Sequence, residues 1–408
     1  MLDLKRLIVP LLFASGVFAE NNVTLSLEDY ISSYKQEEFE YDFKKNQEEY
    51  LKLRDSWIAP LQLQYRYSKT NPYGNEQTTK NASITMNQPI FRSGGIYYGI
   101  KFASASKKYQ DYNVAVQKRK LIKDAIGLLI QIKQTQLQYQ KQQLQVANSE
   151  IKLEQNKEEY LSGELDSGFL DNAIIQLNIV KQALYDIESS KQKLISQFKA
   201  LSDIDYQTAF IPHLENITQE EFLKENIILD LYQSDIEQNR YNHHVTAAAY
   251  LPALYLNGSY IKDENDNPVL TRPSSTTYYS YGFTLSMPLD FNTFRDIESA
   301  KLSELKASVV LEDKKRELIA LYEQVEQNLK KIDQKIALAK ENYNIYKKLL
   351  DDTKELFIAG EKTQVDVDLL QNSADMAQID IKIYQLDKQL ELLNLYQYYY
   401  KESSVEVQ

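Results

Sequence analysis

The sequence predicts a mainly α-helical protein with two pairs of β-strands, built as a strand-strand-helix-helix unit that occurs twice. Three observations predict this fold class. Gly163-Glu164 recurs as Gly360-Glu361, each followed by an aspartate eight residues after the glycine. A long heptad pattern leads to each glycine, and a pair of segments with two-residue alternation precedes each heptad pattern. One unit alone could not bury its own faces, so the duplication indicates a symmetric tube.

The N-terminus is predicted to be a secretory signal peptide over residues 1–19. Lys5 and Arg6 precede an apolar run of about 13 residues from Leu7 to Ala19, which is shorter than the roughly 20 residues of a spanning helix. A retained N-terminal anchor is the alternative. No later segment is apolar enough to span a bilayer as a helix, so we expect an exported protein that is either soluble or inserted as a β-barrel.

Composition excludes several classes of function. The net charge of −11 disfavours a nucleic-acid partner, which prefers a basic face. The chain has no cysteine, which excludes disulfides, thiol chemistry and a lipid anchor on cysteine. The 31 tyrosines contrast with one tryptophan, and those near the strands suit a membrane interface.

The first repeat is predicted to cover residues 20–203. Ser26 and Asp29 have the spacing of a capping box at the first helix. Further on, apolar residues such as Leu63 alternate with polar ones, and proline-free heptads follow from Gly95. The predicted elements are a helix over 27–54, strands over 58–68 and 81–89, a long helix over 95–160, a turn over 161–167 and a return helix over 168–203.

A linker over 204–218 is predicted to join the first repeat to the second, over 219–408. Val325, Ile332 and Ala339 mark one seam position of its heptad pattern. The predicted elements are a helix over 219–245, strands over 251–261 and 278–288, a long helix over 295–358, a turn over 359–364 and a return helix over 365–402.

The strands each have one apolar and one polar face. We predict that the apolar face contacts lipid, but two hairpins packed on the helices of a soluble protein would give the same pattern. Four strands cannot close a barrel, whereas three copies would supply twelve. The predicted lipid-facing residues are Leu61, Leu63, Tyr65, Tyr279, Tyr281, Phe283 and Leu285.

The helices differ in length. Each long helix of about 65 residues would extend roughly 100 Å at 1.5 Å per residue, and each return helix about half as far. The helices over 27–54 and 219–245 have about the missing length. We therefore expect them to stack end to end with the return helices.

The whole mature sequence resembles the TolC-like outer-membrane efflux protein family. The resemblance begins with the opening Leu25-Ser26-Leu27-Glu28 and continues with Asn87-Gln88-Pro89-Ile90-Phe91, before Gly94-Gly95. It includes Ser286-Met287-Pro288-Leu289 after the fourth strand and the second turn from Gly360 to Val367. Each piece alone is weak, but together, in order and within a duplicated chain, they are specific.

This resemblance implies a homotrimer with a twelve-stranded β-barrel in the cell outer membrane, continuous with a long α-helical coiled-coil barrel in the periplasm. Such proteins are the exit ducts of tripartite efflux pumps or type I secretion systems. The implied partners are a periplasmic adaptor protein, an inner-membrane pump or ABC transporter, and outer-membrane lipid. The duct is passive and gated, and it is not an enzyme.

The resemblance also implies two functional positions. The helical turns would lie at the periplasmic tip and contact the adaptor, although a glycine that only ends a helix predicts the same sequence. Asp366 would form a ring that constricts the tunnel, or would simply be a solvated carboxylate at a helix start. Leu369 and Phe169 stand where a second acidic ring would need aspartates. The predicted adaptor contacts are Ser162, Gly163, Glu164, Ala359, Gly360 and Glu361.

Motifs for catalysis and cofactors are absent from the sequence. There is no phosphate-binding loop, dinucleotide fingerprint or nucleophile elbow. The histidines are His213, His243 and His244, too few and poorly placed for a closed metal site of about four ligands. We expect no cofactor and no metal. The main alternative to a channel is a periplasmic or surface coiled-coil scaffold, which shares the heptads but leaves the paired strands unexplained.

Overall fold

The computed structural model describes residues 27–71, 74, 76–266 and 274–400. The predicted signal peptide and Ser26 lie outside this part of the chain. Within the described residues, no helix has the length and apolar character needed to cross a membrane. The first repeat contains a 3-10 turn at Leu27–Tyr30, α1 at Ser33–Arg54, β1 at Gln62–Thr70, β2 at Gln77–Phe91, α2 at Gly95–Leu161 and α3 at Ser167–Leu201.

The second repeat has the same order of elements. It contains α4 at Gln219–Lys224, α5 at Ile227–Ala249, β3 at Ala253–Asp266, β4 at Ser274–Ser286, α6 at Thr293–Ile358 and α7 at Gln364–Tyr396. The long helices α2 and α6 have 67 and 66 residues. The return helices α3 and α7 have 35 and 33 residues, about half as many.

Two predicted helices are interrupted in the structure. The one expected over 27–54 begins as a short 3-10 turn, and α1 starts only after Ser32, whose Oγ accepts from the Lys35 N–H at 3.4 Å. The one expected over 219–245 divides into α4 and α5. Asn226 separates them because its Oδ1 caps α5 by accepting from Ile228 N–H at 3.0 Å, while its backbone forms a β-bridge with Tyr399.

The strand limits also differ from the predicted ones. β1 starts at Gln62 instead of 58, and β2 and β3 extend further toward their outer loops. β4 runs over Ser274–Ser286 and ends before Pro288, which has no N–H to donate. The return helix predicted to reach 402 ends at Tyr396, because Tyr398 and Tyr399 turn away to meet the start of α5.

Each return helix meets a second helix at its end. The Ser32 N–H before α1 donates to the Leu201 carbonyl at the end of α3 at 2.8 Å. The Ile227 N–H at the start of α5 donates to the Tyr398 carbonyl just after α7 at 3.0 Å. These junctions place α1 and α5 beyond the ends of α3 and α7. The end-to-end stacking expected from helix lengths is present in both repeats.

The four strands form one antiparallel sheet in the order β1-β2-β3-β4. The pairing of β2 with β3 joins the two repeats, with Ile84 opposite Tyr260. Strands β1 and β4 are the two edges of the sheet. Because neither edge strand has a second strand partner among the described residues, the sheet can accept further strands on both sides.

The main hydrophobic core lies near the middle of the long helices. It joins residues of α2 such as Ile126 and Leu129 to Phe198 of α3, Leu392 of α7 and Leu214 of the linker over 204–218. Phe198 and Leu129 are fully buried. The linker therefore closes the core around the junctions where the stacked helices meet.

Between this core and the turns at Gly163 and Gly360, polar contacts join α2 to α7 at heptad spacing. Lys141 Nζ binds both carboxylate oxygens of Asp380 at 2.7 and 2.8 Å. Seven residues before Lys141, Gln134 Nε2 donates to Asp387 Oδ1 at 2.6 Å. Seven residues after it, Asn148 Oδ1 accepts from Asn372 at 2.7 Å. Since α2 and α7 belong to different repeats, these contacts hold the two repeats of the chain in register.

The position of Phe198 in the core predicts that its substitution strongly lowers the stability of the protein. Phe198→Ala leaves a cavity in a fully buried site, so we expect a loss of about 3–5 kcal/mol in unfolding free energy. The adjacent, exposed Lys199→Ala is the control, with an expected change within about 0.5 kcal/mol. Thermal melting of the purified variants measures both. Equal melting temperatures would place the core elsewhere.

Candidate functional site: the helical turns and the strand faces

The turns between the long and return helices have the same backbone hydrogen bonds in both repeats. After α2, Gly163 N–H donates to the Tyr160 carbonyl at 3.1 Å and Glu164 N–H to the Glu159 carbonyl at 2.9 Å. After α6, Gly360 N–H donates to Phe357 at 3.0 Å and Glu361 N–H to Leu356 at 2.9 Å. These bonds form a Schellman motif, which satisfies the last carbonyls of each long helix.

Glycine is required at these turns by the backbone conformation. Gly163 has φ 83° and Gly360 has φ 80°, values that residues with a Cβ rarely adopt. A Cβ added to either glycine would meet no atom within 4 Å. The space beside each glycine is therefore open, and a partner's backbone or side chains can approach it closely.

An exposed apolar side chain precedes each turn glycine by two residues, and the sequence analysis did not single it out. Leu161 is 74% exposed and Ile358 is 84% exposed. Acidic Glu164 and Glu361 follow the glycines and are also exposed. The repeat of apolar residue, small residue, glycine and glutamate was the sequence signal that could have identified Leu161 and Ile358.

Asp366 lies in the first turn of α7 and forms a capping box with Thr363. Its Oδ2 accepts from the Thr363 backbone N–H at 3.0 Å and from Thr363 Oγ1 at 2.9 Å. Thr363 Oγ1 in turn accepts from the Asp366 N–H at 3.2 Å. The hydrogen bonds from Thr363 lower the pKa of the Asp366 carboxyl. Asp366 therefore stays ionised at pH values below the usual pKa range of an aspartate.

The residues near Asp366 provide no second acidic position beside it. Asp368 binds Gln364 Nε2 at 2.7 Å on its own exposed helix surface. Leu369 is half-buried, and Phe169, at the equivalent position of the first repeat, is 52% exposed. The structure thus assigns Asp366 one local task, starting α7, and leaves its role toward a tunnel as a prediction.

The predicted lipid-facing residues lie on one face of the sheet. The register pairs Leu63 with Ile84, Ile84 with Tyr260 and Tyr260 with Tyr279, so these side chains form one row. All of the predicted positions are 67–80% exposed in the subunit: Leu61, Leu63, Tyr65, Tyr279, Tyr281, Phe283 and Leu285. Their contact with lipid remains a prediction.

The opposite face of the sheet is polar and joined by hydrogen bonds between strands. Gln77 donates to Asn265 at 3.1 Å. Asn257 donates to Thr284 Oγ1 at 2.6 Å, and the hydroxyls of Ser259 and Ser280 lie 2.8 Å apart. This face has the hydrogen-bonding side chains that would suit a water-filled lumen.

The histidine pair packs where α5 meets α2 and α6. His243 Nδ1 lies 3.3 Å from Glu304 Oε2, and Arg240 Nε donates to the other oxygen of Glu304 at 3.1 Å. His244 stacks on Tyr98. Among the described residues, no group of three or more His, Cys, Asp or Glu has the arrangement of a metal site. These contacts join helices.

The structure combines a sheet that has one apolar and one polar face with helices about 100 Å long. Residues 220–399 match the family model described as "Outer membrane efflux protein". The resemblance to TolC-like proteins is confirmed. The matched segment includes α5 to α7, β3, β4 and the turn at Gly360.

Solved structures show that the fold extends over the whole described chain. The VceC outer membrane protein of Vibrio cholerae superposes with a TM-score of 0.70 at 13% identity, covering 92% of this chain and 96% of that one. The Campylobacter jejuni CmeC outer membrane channel superposes with a TM-score of 0.70 at 13% identity, covering 98% of this chain and 96% of that one. A membrane protein from Pseudomonas aeruginosa superposes with a TM-score of 0.71 at 12% identity, covering 91% of this chain and 88% of that one. No curated protein sequence matches the chain.

These findings support the general class of an outer-membrane efflux channel. The fold is that of outer-membrane efflux channels, and the predicted localisation, the outer membrane with the helices in the periplasm, is confirmed at the level of the family. The matched family is one of outer-membrane channels, which are not enzymes.

The turn geometry predicts how Gly360 responds to substitution. Gly360→Ala forces a residue with a Cβ to φ 80°, at an expected cost of about 1 kcal/mol in the free energy of unfolding. Gly360→Asn should cost less, since asparagine tolerates this conformation better. Thermal melting compares the two. Equal losses in both variants would show that backbone conformation does not limit this turn.

Proposed function

We propose that the protein is the passive, gated exit duct of a tripartite efflux pump or type I secretion system, acting as a homotrimer. The observation that carries this proposal is the four-stranded sheet with two unpaired edges, one apolar exposed face and one polar face. Three copies paired edge to edge give a twelve-stranded barrel with lipid outside and water inside.

Exposed apolar side chains on the helices also support an assembly of several copies. Large apolar residues of α3 and α6 remain 42–69% exposed in the single subunit. Helices of a soluble coiled coil normally bury such a seam against a partner. We assign this partner to the neighbouring copies. The residues are Ile174, Ile175 and Ile179 of α3 and Leu302, Leu305, Val309 and Leu338 of α6.

We assign adaptor docking to the two turns. Each turn offers an exposed apolar residue, an open glycine and a glutamate in the same order. Three subunits would present six such turns at the periplasmic tip. The contact residues proposed are Ser162, Gly163, Glu164, Ala359, Gly360 and Glu361, and Leu161 and Ile358 extend the same surface.

The gate is assigned to Asp366, one from each subunit. Three ionised carboxylates close together would repel one another and attract cations. Opening would separate the α6–α7 hairpins in a two-state change that the adaptor favours by binding the open form better. An inner-membrane pump or ABC transporter would supply the energy.

A non-channel coiled-coil scaffold is the second candidate. It accounts for the heptads of α2 and α6, but it gives no role to a sheet that combines an exposed apolar face with a hydrogen-bonded polar face. Its partners would be other coiled coils at the cell surface. Conductance separates the two candidates.

The duct predicts a heat-sensitive trimer that conducts ions. The protein extracted from outer membranes in detergent should migrate as a trimer before boiling and as a monomer after it, because the barrel closes only between subunits. In planar bilayers it should give long-lived, small, cation-preferring openings. A protein recovered from the soluble periplasm without conductance would support the scaffold.

The gate predicts that Asp366→Ala raises single-channel conductance and weakens block by divalent cations, because three negative charges leave the constriction. Thr363→Ala is the matched control, since it removes the same capping box and keeps the charge. Conductance that rises equally in both variants would assign the effect to helix fraying. An unchanged conductance in Asp366→Ala would move the gate to other residues.

A further inference from the structure

The polar face of the sheet contains two charged residues, and the register places them in one row. Arg66 of β1 is opposite Asn81 of β2, Asn81 is opposite Asp263 of β3, and Asp263 is opposite Thr276 of β4. Every other position on this face of the described strands is uncharged, mostly Ser, Thr, Asn or Gln. The charges are therefore concentrated at one level.

The other charges of the sheet belong to the opposite face. Lys80 pairs with Glu264 at 3.8 Å, and Lys262 binds the same Glu264 at 2.8 Å. These residues alternate with Asn81 and Asp263 along β2 and β3, so they point away from the polar face. Both lysines share the one carboxylate of Glu264. Arg66 and Asp263 differ from them in position and in partners.

Asp263 is held in place by its neighbours in the sheet. Asn81 Nδ2 donates to its Oδ1 in a short hydrogen bond. Tyr278 on β4 places its hydroxyl 3.5 Å from Oδ2. The carboxylate is thus fixed against the wall between two strands, with negative charge directed to the polar face.

Arg66 has the opposite character. Its side chain is exposed and makes no hydrogen bond or ion pair with any residue of the described part of the chain. Two strand spacings, about 10 Å, separate its strand from that of Asp263. In the structure the Arg66 guanidinium forms no salt bridge with Asp263 across Asn81. The guanidinium is free to extend from the edge strand toward whatever passes along the polar face.

We propose that Arg66 and Asp263 form a ring of alternating charge inside the barrel, which selects cargo by its charge as it leaves the duct. This inference rests on the proposed function. In a closed trimer the strand order would repeat as β1-β2-β3-β4, so positive and negative positions would alternate on every second strand, three of each. Strand tilt would offset the two sets by a few Å along the axis.

The solutes that such a ring would attract are charged or zwitterionic. An anionic group would be drawn toward the three arginines and a cationic group toward the three aspartates, within a Debye length of about 8 Å at physiological salt. The same forces would act only weakly on neutral solutes. The ring is separate from Asp366, which lies in the α6–α7 hairpin at the other end of the long helices.

The test measures ion selectivity of the full-length protein in planar bilayers, from reversal potentials across a KCl gradient. We expect Arg66→Gln to raise the cation-to-anion permeability ratio about twofold near 0.1 M salt, and the effect to vanish at 1 M, where the Debye length is about 3 Å. Asp263→Asn should lower the ratio, and the double variant should return it close to the original value.

Lys80→Gln is the matched control. It removes the same charge from the residue next to Asn81, but on the opposite face of β2, so selectivity should not change. A channel that opens normally and keeps its selectivity in Arg66→Gln would overturn the ring and leave the duct intact. A shift of equal size in Lys80→Gln would also overturn it. A wild-type protein without conductance would overturn both the duct and the ring.

Discussion

The structure depends on the unequal lengths of its helices. α2 and α6 continue for 67 and 66 residues, whereas α3 and α7 end after 35 and 33. An apolar seam that is twice as long as its partner would be left half uncovered. The second partner is α1 in one repeat and α5 in the other. The hydrogen bonds from Ser32 to Leu201 and from Ile227 to Tyr398 fix where the partners meet, and the main core lies around these junctions.

This stacking also fixes the two ends of the molecule. At one end, each long helix has to reverse direction in a few residues, and the left-handed glycines at 163 and 360 allow it. At the other end, α1 and α5 lead directly into β1 and β3, so the sheet begins where the stacked helices stop. Between these two ends, contacts of α2 with α7, such as that of Lys141 with Asp380, hold the two repeats side by side. The turns and the sheet are therefore joined by one section with a continuous hydrophobic core.

Local signals in the sequence predicted the elements that depend on local physics. The heptads of α2 and α6, the turn glycines and the alternation in β4 all follow from neighbours a few residues apart. The division at Asn226 could not be predicted in this way, because it depends on a bridge to Tyr399, far away in the chain. The same limit applies to the site. Asp366 has the spacing of a constriction and of a capping box, and only the three-dimensional structure shows the hydrogen bonds with Thr363.

Register explains why the charge on the polar face was not visible in the sequence. Arg66 and Asp263 are nearly 200 residues apart, on strands from different repeats, and each is one charged residue among many. They share a level only because β2 pairs with both β1 and β3. A shift of one residue in either pairing would turn one of the two charges to the opposite, mainly apolar face of the sheet. The apolar rows that fix the register therefore also fix the position of the charges, so the residue patterns of the apolar face and of the polar face cannot vary independently.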